Sequence, residues 1–134
     1  MSILNVLRTA SVLLALTACA PALANGRPRL MAVAPDSVRL LPGNVTEVDL
    51  RGFGFDTTSA APGNTVWIGA LELRSVPSRS GGTVLRIAIP SAVASRGEAP
   101  PSPWIDGRYS VWVATRTGVS DTLSISILSS PRLP

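Results

Sequence analysis

The chain has 134 residues, enough for one modest domain with its own core. Twelve basic residues against eight acidic ones give a net charge of +4, the basic residues are all arginine, and there is no histidine. Lacking histidine and lysine, and with one cysteine near its start, the chain has neither the commonest general base nor a thiol nucleophile in its body. A zinc site on histidine or thiolate ligands is excluded on the same ground.

Arg8 followed by the apolar run "TASVLLALTA" (residues 9–18) has the form of an export signal. The run is too short to span a bilayer as a stable anchor. Nothing later is long and apolar enough for a transmembrane helix. Residues 1–18 are therefore expected to be a signal peptide and residues 19–29 a linker.

From residue 27 onward the pattern is strands and turns. Residues 30–33 ("LMAV") form a short strand, ended at residues 34–37. A turn follows at residues 41–44. "VTEVDLRG" (residues 45–52) alternates, with Thr46, Val48 and Leu50 on one face and Glu47, Asp49 and Arg51 on the other, as a half-buried strand does. Phe53-Gly54-Phe55-Asp56 then leads into loop residues and an "APGN" turn (residues 61–64), not into a helix, so Gly52 and Gly54 bend a departing strand rather than cradle a phosphate. One or both of Phe53 and Phe55 are expected to plug the end of the core.

"TVWIG" (residues 65–69) places Val66 and Ile68 inward and Trp67 outward. Residues 70–76 alternate again. After a glycine turn, residues 83–90 put Leu85, Ile87 and Ile89 on one apolar face. Residues 90–107 are irregular and rich in proline, contain Trp104, and have room for one helical turn at residues 91–95. "RYSVWVAT" (residues 108–115) sends Tyr109, Val111 and Val113 inward and Trp112 outward. Residues 120–128 end the fold with Leu123, Ile125 and Ile127 inward, and residues 129–134 are expected to fray. About seven short strands at near-regular spacing predict an all-β, immunoglobulin-like β-sandwich of antiparallel sheets.

Two resemblances sharpen this reading. Leu16-Thr17-Ala18-Cys19, at the end of the apolar run, resembles the lipobox of bacterial lipoproteins. That resemblance implies cleavage before Cys19, lipidation of Cys19 and a membrane partner reached through the lipid; Ala20 after it favours the outer membrane. A rival signal, Ala22-Leu23-Ala24 before Asn25, fits ordinary signal peptidase and would release a soluble periplasmic or secreted protein. Residues 30–128 resemble the IPT/TIG domain, an immunoglobulin-like module. The resemblance runs through Pro35-Asp36-Ser37, Gly43, Val48 to Phe55, Val66-Trp67-Ile68-Gly69, Ile89-Pro90, Gly107-Arg108-Tyr109-Ser110-Val111-Trp112-Val113 and Gly118. It implies a non-catalytic binding or envelope-interaction role.

Candidate site residues follow from position. Tyr109, in "DGRY", resembles a tyrosine corner, whose hydroxyl bonds back to nearby backbone. Trp67 and Trp112 are expected on the outer face of neighbouring strands. With Trp104 from the long loop they would form an aromatic platform for a glycan or an envelope protein, unless the loop folds over that face and buries them. The carboxylates Glu47 and Asp49 share a solvated strand face, and Asp56 and Asp106 are expected to cap turns. No spacing suits a calcium or other metal site, no cofactor is expected, and the arginines are spread too singly for a nucleic-acid interface.

Overall fold

The computed structural model describes residues 26–58, 63–95 and 97–130. The expected signal peptide, Cys19 and residues 131–134 lie outside the described residues. The fold is all-β, two sheets packed face to face, as the sequence predicts, but with twelve strand segments among the described residues rather than about seven.

In chain order the segments are β1 (Arg29–Ala34), β2 (Ser37–Leu40), β3 (Val45–Phe53), β4 (Asn64–Ile68), β5 (Leu71–Val76), β6 (Ser78–Arg79), β7 (Val84–Pro90), β8 (Ala92–Val93), β9 (Ser102–Pro103), β10 (Gly107–Thr115), β11 (Gly118–Val119) and β12 (Leu123–Ser129). One sheet has the order β1-β3-β7-β6. The other runs β2-β12-β10-β4-β5, with β11 beside β10, and β8 pairs with β9 as a separate two-stranded ladder.

The alternation explains the core. Val48, Leu50, Leu85, Ile87 and Ile89 from the first sheet meet Val66, Ile68, Val111, Val113, Ile125 and Ile127 from the second, and all are buried. Burying each such side chain contributes roughly 1.5–3 kcal/mol. With no cysteine in the body of the domain, this packing carries the stability.

Four expectations are corrected. Ser37 opens a strand rather than closing a turn, because β2 leaves the β1 sheet and joins β12 in the other. That pairing is parallel, with Ser126 opposite Ser37 and Leu128 opposite Arg39, so the sheets are not purely antiparallel. Residues 91–95 contribute the short β8 instead of a helical turn. Nor does the chain fray from residue 129: β12 runs through Ser129, and the Ser130 N–H donates to the Leu40 carbonyl at 3.1 Å.

"LRGFGFD" closes one end of the sandwich. Gly52 lies so close to the neighbouring strand that a Cβ would collide with the Arg29 carbonyl. Gly54 has φ +74°, a conformation glycine adopts without strain. The bend between them sends the two rings opposite ways: Phe55 plugs the core at 3% exposure, whereas Phe53 is 59% exposed. Behind Phe55 sits Asn64, 1% exposed. Its carbonyl accepts the Asp56 N–H at 2.7 Å, and its amide donates to the Asp56 and Val76 carbonyls, each at 2.9 Å. This amide therefore ties the departing β3 chain to β4 and β5.

Candidate functional site

The outer face of the six-stranded sheet is built around two tryptophans. Val66 and Ile68 bury themselves on one side of β4, so Trp67 between them points to the other; Val111 and Val113 do the same for Trp112 on β10. The register makes Trp67 and Trp112 direct cross-strand partners. Their rings stand 5.8 Å apart, centroid to centroid, at an interplanar angle of 9°. That is an offset parallel stack, worth about 0.5–1.5 kcal/mol beyond the area it buries. Each indole covers part of one face of the other, and both remain half-buried rather than sealed.

The surroundings are polar. Glu72 lies opposite Trp67 on the edge strand β5 and accepts a hydrogen bond from Arg74 Nε at 2.8 Å. That bond raises the Arg74 pKa and fixes the pair beside the indoles. On the other flank, Arg108 donates to Ser124 Oγ at 2.9 Å, and Ser110 stands opposite Ser124. An aromatic centre with hydroxyl and guanidinium groups around it can stack on the apolar face of a sugar while bonding its hydroxyls.

Trp104 does not join them. It is 4% exposed, its indole N–H donates to the Pro90 carbonyl at 2.8 Å, and its ring meets Tyr109 edge-on at 4.9 Å. The reason is the β8–β9 ladder, which pairs Ala92 with Pro103 and folds the proline-rich segment back against the sandwich end. Trp104 is therefore a core residue of that end, flanked by two open cavities of about 420 and 270 Å³. Tyr109 completes the closure: its hydroxyl donates to the Ile105 carbonyl at 2.6 Å, the bond back to nearby backbone that the "DGRY" pattern suggested.

The carboxylates are engaged structurally. Asp56 accepts the Thr58 N–H and hydroxyl, at 2.8 and 2.7 Å, and faces Arg116 Nε at 2.9 Å. Those bonds, the Thr58 backbone first, hold its carboxyl below the usual range. Asp106 caps no turn but takes the Ser129 hydroxyl and N–H, both at 2.6 Å, and is lowered by them; it fastens the end of β12. Arg86 holds Asp49 low in the same way, at 2.8 Å across the β3–β7 pair.

Sequence reasoning missed Asn64, whose turn-like context "APGN" hid its burial. Compared with protein-family models and with curated proteins, the chain finds no match.

Proposed function

We propose that this protein is an exported, lipid-anchored and non-catalytic binding module, and that its contact surface is the outer face carrying Trp67 and Trp112. The observation that carries the contact surface is the cross-strand stack itself: two large aromatic side chains, spent on one another and left open to solvent, on a sheet face whose other occupants, Leu128 apart, are small or polar. An envelope glycan is the partner class this chemistry suits, with the indoles stacking on sugar faces and Arg108, Ser110 and Ser124 meeting hydroxyl or acidic groups. Membership of the IPT/TIG group is supported by the order of the quoted motifs, by the passage of the first strand pair between sheets and by the Tyr109 hydroxyl bond.

The anchor is Cys19, behind its Leu16-Thr17-Ala18 signal, and the outer membrane is the destination that Ala20 favours. Ala22-Leu23-Ala24 supplies the second reading, a soluble polysaccharide-binding module cut before Asn25. Intact-mass analysis of the mature N-terminus separates them: an acylated peptide beginning at Cys19 is expected, and an unmodified one beginning at Asn25 would overturn the anchor. For the contact surface, the test is a glycan array probed with the wild type and with Trp67→Ala/Trp112→Ala. Binding that disappears in a variant with intact far-UV circular dichroism supports the face. Equal binding by the two, or loss only because the variant unfolds, would remove it.

A further inference from the structure

We propose that the end of the sandwich nearest the N-terminus is a docking surface for anionic lipid headgroups, and that it holds the anchored domain upright on the membrane. The inference rests on anchoring at Cys19. Six residues separate Cys19 from Gly26, the first described residue. At ~3.6 Å per residue, the seven steps span at most about 25 Å. The domain is thus confined to the membrane surface, and its attachment point decides which end meets it first.

That point is rigid. The Thr117 hydroxyl donates to the Gly26 carbonyl, Arg27 Nε donates to the Val119 carbonyl at 2.8 Å, and Pro28 is buried. Arg27 and Arg29 both reach the Asp121 carboxylate, at 3.8 and 3.3 Å. The tether therefore leaves from the end that holds the β10–β11 turn, the end of β3 and the turn after β6.

The chemistry of this end matches a lipid surface. It carries Arg27, Arg29, Arg51, Arg79 and Arg116 against two carboxylates, Asp56 and Asp121. The rest of the described chain has the opposite balance, four arginines against six carboxylates. Arg27 and Arg29 keep 63% and 64% of their side chains exposed despite sharing Asp121. Arg51 and Arg79 form no ion pair among the described residues; the carboxylate they help hold low, Asp49, is already bonded to Arg86. Beside these cations, Phe53, the cross-strand partner of Arg29, is 59% exposed, and Val119 is 50% exposed. Cations at an anionic surface with apolar side chains among them form the standard combination for interfacial binding. Each arginine near such a surface strengthens the attraction about fivefold, over a range of about 8 Å at physiological salt.

The test uses the full lipidated protein, whose own cysteine is consumed by the anchor, leaving an introduced thiol free for a dye. Val119→Cys labels the proposed membrane end, and Ile105→Cys, at a site 78% exposed, labels the far end. Both are reconstituted into vesicles of phosphatidylcholine with phosphatidylglycerol, or of phosphatidylcholine alone, containing a nitroxide-headgroup quencher. The label at position 119 should be quenched strongly on the anionic vesicles and that at position 105 weakly. Arg51→Gln/Arg79→Gln should lower the docked-to-undocked ratio at least tenfold, high salt should do the same, and Phe53→Ser should lower it with no change of charge. Flotation with the vesicles should persist throughout. Equal quenching at the two positions, or indifference to phosphatidylglycerol, would overturn the docking surface while leaving the anchor in place. Failure of the wild type to float would overturn the anchor, and the docking surface with it.

Discussion

Asn64 offers the most quantitative check on how this sandwich is closed. It is almost fully buried and makes three hydrogen bonds, at 2.7, 2.9 and 2.9 Å, to backbone groups of Asp56 and Val76. At ~1 kcal/mol net for each bond, Asn64→Ala should cost about 3 kcal/mol. The Asp56 carbonyl retains Ser78 Oγ at 2.8 Å, so the groups that lose the Asn64 side chain with no other side chain in its place are the Asp56 N–H and the Val76 carbonyl. For a domain near this size, a loss of about 3 kcal/mol lowers the thermal midpoint by roughly 12–20 °C. Asn64→Asp separates the bonds from the volume. Its carboxylate can still accept the Asp56 N–H, but it faces two carbonyl oxygens that need donors. Burial and those oxygens raise its folded pKa above the unfolded value of about 3.9. The folded state then binds the proton more tightly than the unfolded state does. Relative to wild type, the variant should be most stable below pH ~4 and should lose ground as pH rises through the folded pKa. Urea denaturation followed by circular dichroism, from pH 4 to 7, measures both effects. An Asn64→Ala midpoint within about 1 kcal/mol of wild type, or a flat Asn64→Asp difference over that range, would refute the reasoning.

The remaining predictions concern other parts of the frame. Gly52→Ala would drive a methyl group into the Arg29 carbonyl, where only backbone can yield; it should separate β1 from β3 and show as lost amide protection in both strands under hydrogen exchange. Trp104→Phe keeps most of the packed volume but orphans the Pro90 carbonyl, and should cost about 1–2 kcal/mol in denaturant melts, against about 3–5 kcal/mol for Trp104→Ala. Asp49, Asp56 and Asp106 all have lowered folded pKa values, so their stabilisation is complete above the unfolded carboxylate pKa and is lost as pH falls through the folded ones. Asp106→Asn removes one of these titrations, and an acid-unfolding curve should become shallower below pH ~4. A double-mutant cycle on Trp67 and Trp112 should give a coupling of about 1 kcal/mol, the worth of an offset stack.

Strand interiors were legible because alternation is a local consequence of the pleat. Val48 and Leu50, Val66 and Ile68, and Val111 and Val113 could be assigned inward from their neighbours alone, and all are buried. The Trp67–Trp112 pairing was half legible: alternation gave the face, but only the β4–β10 register makes the two residues direct partners. Short β2 was hidden between Pro35 and Pro42, and its parallel partner lies at the far end of the chain, so no local pattern announces it. Asn64 and Trp104 were missed or misplaced for a shared reason. Each sits in a stretch whose composition reads as loop, and each is buried by what folds over it: the Asp56–Val76 closure in one case, the β8–β9 ladder in the other. Burial of a loop residue is decided by tertiary contact, and the sequence carries no period that reports it.

The two proposals constrain one another through the direction of the strands. Sheet faces run parallel to the strands, and the attachment point lies at one strand end, so a domain standing on that end presents its Trp67–Trp112 face sideways, clear of the membrane. Lying flat on that sheet would press the face itself against lipid. The side chains argue for the first arrangement: Arg27, Arg29, Arg51, Arg79 and Phe53 cluster at the attached end, whereas beside the indoles Arg74 is already paired with Glu72 and Arg108 is bonded to Ser124. An upright domain also carries Trp104, its two flanking cavities and the proline-rich segment to the side furthest from the lipid. The paired labels at positions 119 and 105 therefore report on more than docking. A domain lying on its tryptophan face would bring both within reach of the quencher and hide the indoles from any glycan, so vesicle attachment would then suppress the glycan binding that an upright domain retains.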